Sequence, residues 1–210
     1  MAVSRIGILG GAFDPPHLAH RALAQTALDQ LALTELHVLP TGQAWHKTRT
    51  LTDAAHRLAM TRLTFEGLPG VVVDDREIRR AGPTYTIDTV RELQAEHPGA
   101  EVCVLMGLDQ AVALPTWKDW QALVAQAIIC IAERADSASP RAMSEEDHAS
   151  LLQARLKHLP PGRWRYLPMP LMPISATDLR QRLANNQPID GLVSPAVASY
   201  IAQHHLYTPA

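Results

Sequence analysis

The chain has 210 residues, 47% of them hydrophobic, and a formal charge of −2. That length fits one domain or one domain with a small appendage, able to bury roughly 70% of its unfolded surface without disulfides. The near balance of 19 basic and 21 acidic residues gives no electrostatic footprint for nucleic acid or an anionic membrane, but leaves room for a local phosphate site.

Short apolar runs alternate with helical patterns. RIGILG (residues 5–10) reads as a strand and residues 18–33 as a helix rich in Leu and Ala. ELHVLP (35–40) is the next strand, stopped by proline, and TGQAWHKTRTL is a polar loop. Residues 53–65 suit a helix that Thr52 could cap. VVVDD (71–75) is a strand, RRAGPTYT a loop, and TIDTVRELQAEHP a helix ended by Pro98 and Gly99. EVCVLMG and AIICIAE are strands separated by a helical segment. Their cysteines, Cys103 and Cys130, read as buried thiols, and no CxxC suggests zinc or dithiol chemistry.

The character changes after Arg134, where ADSASPRAMSEED looks like a surface connection. Residues 148–158 suggest a helix and RWRYLPMPL a final strand. SATDLRQRLANN and SPAVASYIAQHHLY suggest two helices, capped by Ser175 and by Ser194 with Pro195 at the first position. The repeated β-α-β-α order predicts an α/β fold: a Rossmann-like, doubly wound parallel sheet. One domain spans 1–210, with an α/β core to about residue 170 and a C-terminal helical part over about 171–210. No signal peptide pattern and no apolar run near the roughly 18 residues of a spanning helix are found. The expected location is the cytoplasm, and the sequence leaves a homo-oligomer open without giving the oligomeric state.

GGAFDPPHLAH (10–20) links the first strand to its helix. In open α/β sheets ligands bind beyond the carboxyl ends of strands. Gly10 and Gly11 offer close backbone approach and positive φ, and the helix N-terminus favours an anion. Neither GxGxxG nor a P-loop is present. His17 and His20, three apart on a helix, would share one face at its positive end. No third ligand lies at a zinc-like spacing, so the pair points to phosphate and no protein-held metal is expected. Two plain surface histidines are the alternative.

This motif resembles the signature GG-small-FDP-x-H-x-G-H of the nucleotidyltransferase α/β-phosphodiesterase superfamily, with Ala12 in place of Thr or Ser and Ala19 in place of Gly. GPTYTIDTVREL, GLDQAVALPTWKDW, CIAERAD and ISATDLRQRL follow in order, and together they resemble bacterial nicotinate-nucleotide adenylyltransferases. The resemblance covers the chain except about 137–167. It implies adenylyl transfer from ATP to nicotinate mononucleotide, with pyrophosphate released and Mg²⁺ carried by the ATP phosphates.

The resemblance implies an ATP site made by Gly10, Gly11, Ala12, Phe13, His17, His20, Gly107, Asp109, Ile174, Ser175, Thr177 and Arg180. A simple capped helix is the competing reading of ISATDLR. It implies a nicotinate mononucleotide site at Lys47, Thr84, Tyr85, Trp117 and Arg134, where Trp117 could stack on a pyridine ring and Trp120 packs. WHK at 45–47 matches a P-P-H-K loop with Trp45 in place of the second proline, and an exposed lysine without a role is the alternative for Lys47. His17, His20, Lys47 and Arg180 would neutralise charge. The acceptor phosphate is already ionised, so no general base is needed. Pantetheine-phosphate adenylyltransferases and glycerol-phosphate cytidylyltransferases share the first motif. A tRNA-charging domain and a non-catalytic nucleotide-binding protein are readings of other classes.

Overall fold

A computed structural model describes residues 4–43, 50–132, 159–169 and 172–208. Its described strands are β1 (Arg5–Gly11), β2 (Glu35–Pro40), β3 (Val71–Val73), β4 (Glu101–Gly107), β5 (Ala127–Ala132) and β6 (Arg163–Leu167). They form one sheet in the order β3-β2-β1-β4-β5-β6, with every pairing parallel. The described helices are α1 (Leu18–Leu31), α2 (Ala54–Phe65), α3 (Arg76–Arg79), α4 (Thr86–Glu96), α5 (Leu108–Ala113), α6 (Trp120–Gln126), α7 (Ala176–Ala184) and α8 (Pro195–Gln203). This is the expected doubly wound, Rossmann-like α/β fold.

The central strands are apolar throughout because both faces are buried. Alternate residues serve different cores. Ile6, Ile8, Val102, Val104, Ile129 and Ile131 join Ile87, Val90 and Leu93 of α4 on one side. Leu9, Leu36, Val38, Cys103 and Cys130 join Leu23, Ala24, Ala27 and Leu31 of α1 on the other. Both thiols are free and buried, as expected. Gly7 lets β1 and β2 meet closely, since a Cβ there would lie 2.6 Å from Leu36 Cδ1. A third cluster joins α7 and α8 to α2 through Met60, Leu179, Val197 and Ile201. The C-terminal helical part is therefore packed onto the α2 side of the molecule.

Several boundaries differ from expectation. α1 stops at Leu31 because Ala32 turns left-handed, at φ 51°. Asp53, not Thr52, caps α2, its carboxylate accepting the Ala55 N–H at 2.8 Å. β3 is three residues long, and α3 precedes the expected loop. Ser175 and Ser194 cap their helices as expected. The segment expected as a helix at 148–158 lies outside the described residues. Topologically, β1 and β4 flank the point where strand order reverses, and both end in glycine, at Gly11 and Gly107.

Candidate active site

The chain leaves β1 at Gly10 and Gly11. Gly10 is exposed, and a Cβ added there would meet no atom within 4 Å, so the strand end faces open space. The left-handed residue of the turn is Phe13, at φ 47°, and not either glycine as the sequence suggested. Phe13 tolerates this because its ring is anchored. It is 2% exposed and meets His20 and Phe65 edge-on, at 5.0 and 6.2 Å between centroids. What Phe13 can present to a ligand is therefore backbone. The following Asp14–Pro15 peptide is cis.

His17 is the residue before α1, with an extended backbone at φ −147°, and His20 lies in the first turn. The His17 N–H donates to His20 Nδ1 at 3.1 Å. That is the reach-back of a capping box, with a histidine where Glu or Gln is usual. The two rings stack at 3.7 Å with 28° between planes. Because His20 Nδ1 accepts, the proton of its neutral ring sits on Nε2, a donor suited to an anion. The helix start itself is partly used. The Leu18 N–H donates to the Leu192 carbonyl at 3.0 Å, and the His20 N–H turns back to the His17 carbonyl at 2.9 Å. The expectation of a wholly free helix terminus is narrowed accordingly.

The second anion-type helix start is brought to the same turn. Ser175 Oγ accepts the Asp178 N–H at 3.1 Å. One turn on, Arg180 donates through Nη2 to Thr177 Oγ1 at 3.1 Å and through Nη1 to the Asp14 carbonyl at 2.7 Å. Ser175 and Thr177 are exposed, and Ile174 is half-buried against the C-terminal cluster.

Three residues to which the sequence assigned no role hold this arrangement. Arg57, only 2% exposed, donates to the carbonyls of Ala12 (3.0 Å), Thr41 (2.8 Å) and Thr52 (2.9 Å). One guanidinium thus ties together the loops after β1, after β2 and before α2. Asp14, 1% exposed, accepts the Tyr207 hydroxyl at 2.7 Å and the Thr52 N–H at 3.3 Å. Burial, reinforced by the Asp14 bond, pushes the Tyr207 hydroxyl above its ordinary range and keeps it a donor. In the sequence, Arg57 reads as one more polar residue of a surface helix, and nothing local marks its burial. The FDP run did flag Asp14 as part of the motif, without a role.

On the β4 side, Gly107 is buried at the strand end and Asp109 is exposed two residues on. Gly42 closes the loop after β2 against α3, where a Cβ would fall 2.1 Å from the Glu77 carbonyl oxygen. Thr84 is buried. Its N–H donates to the Gln43 carbonyl at 3.1 Å, and its hydroxyl points to the Glu77 carbonyl at 3.5 Å. Its polar groups therefore hold the loop. Tyr85 and Trp117 are partly buried and pack on the same core cluster, and Lys118 Nζ lies 4.3 Å over the Tyr85 ring. Trp120 belongs to that cluster too, as expected. Lys47 and Arg134 lie outside the described residues, as does Trp45.

A cytidylyltransferase-like family model matches residues 8–182. A protein of Albidiferax ferrireducens named "Probable nicotinate-nucleotide adenylyltransferase" is 51% identical, with 99% of this chain and 100% of that one covered. A protein of the same name from Methylibium petroleiphilum is 44% identical, over 98% and 93% of the two chains. Among solved structures, a Plasmodium falciparum nicotinic acid mononucleotide adenylyltransferase complexed with NaAD superposes with a TM-score of 0.78. It is 21% identical, and 97% of each chain is covered.

Proposed function

The chain belongs to the cytidylyltransferase-like family, among the nicotinate-nucleotide adenylyltransferases, and from that premise we propose that it transfers the adenylyl group of ATP to nicotinate mononucleotide. The products are nicotinate adenine dinucleotide and pyrophosphate, in NAD biosynthesis. The observation that carries this reading is the Arg180–Asp14 bond, which draws the helix start of ISATDLR onto the GGAFDPPHLAH turn. Two anion-binding elements 166 positions apart become one surface at the carboxyl ends of the strands.

The phosphate of nicotinate mononucleotide attacks the α-phosphorus of ATP in line, and the pyrophosphate leaves on the opposite side. The attacking oxygen is already ionised, so the protein's work is positioning and charge neutralisation. The open backbone at Gly10 and Gly11, continued by Ala12 and Phe13, admits the triphosphate. His20 donates from Nε2, and His17 backs its ring. Arg180, Ser175 and Thr177 meet the phosphates from the other side, with Ile174 beneath them, and Lys47 adds a further positive charge. Gly107 and Asp109 take the ribose end of ATP. Tyr85, on the loop that Thr84 holds, receives the pyridine nucleotide together with Trp117, and Arg134 is assigned to the same substrate by the family resemblance.

The donors around the turn are nitrogens of His and Arg, and the nearby Asp14 carboxylate accepts from Tyr207 and Thr52. That set suits phosphate, so Mg²⁺ would be held by the triphosphate and water, where it lowers the charge on the reacting phosphates. No helix among the described residues is long and apolar enough to cross a membrane, and the substrates are those of cytoplasmic metabolism, which is where we place the enzyme. We read one domain, in which α7 and α8, beyond about residue 170, share a cluster with Met60 of α2.

The test is pyrophosphate release with ATP and Mg²⁺, offered nicotinate mononucleotide, its amide or phosphopantetheine. Nicotinate mononucleotide is expected to be the preferred acceptor. Absence of turnover with it, or faster turnover with phosphopantetheine, overturns the reading.

A further inference from the structure

At the amino end of β2, far from the glycine turn, three donor atoms from different places in the sequence converge. Glu35 and His37 project from the same face of β2, and His97 ends α4. Glu35 Oε1 lies 3.2 Å from His37 Nε2 and 3.2 Å from His97 Nε2, and all three atoms fall within 4.8 Å of one another. Tetrahedral zinc with bonds of 2.0–2.1 Å sets its ligands about 3.3 Å apart. Two of the three edges already have that length, and closing the third needs only a swing of the half-exposed His97 ring.

The second observation is the state of His37. Its side chain is 7% exposed, and its Nε2 is buried without a hydrogen bond, 3.2 Å from Glu35 Oε1. Leaving a buried polar nitrogen unpaired is costly. Its other nitrogen, Nδ1, is 2.9 Å from Asp74 Oδ2. Asp74 is itself fixed by Arg76, through the backbone N–H at 2.9 Å and Nε at 2.7 Å. With Nδ1 engaged by the Asp74 carboxylate, Nε2 is the ring nitrogen that faces Glu35 and His97. Carboxylate–histidine–metal arrays are oriented this way.

We propose that Glu35, His37 and His97 form a binding site for a divalent transition-metal cation of the zinc class, with Asp74 orienting His37 and solvent at the fourth position. Two imidazoles and one carboxylate suit zinc, whereas Mg²⁺ prefers an all-oxygen shell. The site joins β2 to the end of α4. An eleven-residue helix is about 16 Å long, so it stands roughly that far from Tyr85 at the other end of α4. Within the fold it is separate from the Mg²⁺ that ATP carries.

Chelator-stripped full-length protein would be titrated with Zn²⁺ by calorimetry, and with Co²⁺ followed by its visible absorption. Wild type is expected to bind one Zn²⁺ per chain at this site and to give the intense d–d bands of tetrahedral Co²⁺. His97→Ala and Glu35→Gln, both at partly exposed positions, should each weaken that binding roughly tenfold or more, since loss of even an orienting partner costs that much. His20→Ala should leave it unchanged, which separates it from metal captured by the other histidine pair. Absence of Zn²⁺ binding in wild type overturns the proposal. So does binding that survives both His97→Ala and Glu35→Gln. Retained binding in both folded variants would place the metal elsewhere.

Discussion

Two pairs of histidines lie at opposite ends of the sheet and meet opposite surroundings. His17 and His20 stack on each other at the start of α1, beside a backbone turn that Arg180 reaches. His37 and His97 share Glu35, and His37 also leans on Asp74. The first pair is set among N–H donors and a guanidinium, surroundings that suit the anion proposed for it. The second is set among carboxylates, and so presents lone pairs to a cation. The imidazole is the same in both. Its neighbours decide which charge it serves, by fixing which ring nitrogen holds the proton.

That contrast can be broken most severely at Arg57. Arg57→Ala removes three buried bonds from the phosphate end and none from the other end. It should cost about 3 kcal/mol or more of unfolding free energy in a denaturant titration, with adenylyl transfer lost alongside. A stable, active variant would mean that the turn holds itself.

The next largest effect is expected at His20. His20→Ala should lower turnover by roughly 10²-fold, as loss of a transition-state donor does, with nicotinate mononucleotide affinity little changed. His97→Ala should leave turnover as it is. Equal losses in the two variants would erase the distinction between the pairs.

Glu77 sharpens the comparison because it is a carboxyl with neither arrangement. It is buried beneath Gly42, accepts the Thr89 hydroxyl at 2.8 Å, and burial pushes it up to about 7 despite Thr89 and Arg80. A raised carboxyl favours folding in its protonated form. Its contribution is complete below the unfolded value near 4.5 and is lost as pH rises through about 7. Glu77→Gln should therefore be more stable than wild type at pH 8, by on the order of 1–3 kcal/mol. Relative to wild type, its advantage should shrink towards pH 4.5. Thermal midpoints across that range would show it, and parallel curves would refute it.

The smallest effect is expected at Trp117. Trp117→Ala should weaken nicotinate mononucleotide binding by up to about tenfold, the value of one aromatic contact, and leave ATP binding nearly intact. Separate titrations of the two ligands would expose a structural rather than a stacking role.

Much of the fold was legible because strands buried on both faces write continuous apolar runs, and because Ser175 and Ser194 announce helix starts. The GGAFDPPHLAH turn was legible as a site, but its mechanics were not. Left-handed φ fell on Phe13, whose tolerance depends on packing by Phe65, 52 positions later. Arg57 was illegible because burial of a charged helical residue depends on three loops meeting around it. His37 and His97 were illegible for a related reason. They are 60 positions apart, and only the length of α4 and the register of β2 bring them to one carboxylate.

The bond from Tyr207 to Asp14 carries a consequence for biosynthesis. It spans 193 positions. At 5–20 residues per second, a ribosome needs roughly 10–40 s to make the second partner after the first. Until Arg180 and then Tyr207 are made, β1 and its turn exist as nascent chain without the arginine that holds the Asp14 carbonyl and the hydroxyl that holds its carboxylate. The GGAFDPPHLAH turn is therefore completed late, by helices made after all six described strands. A ribosome stalled before Tyr207 would display a sheet but not an enzyme.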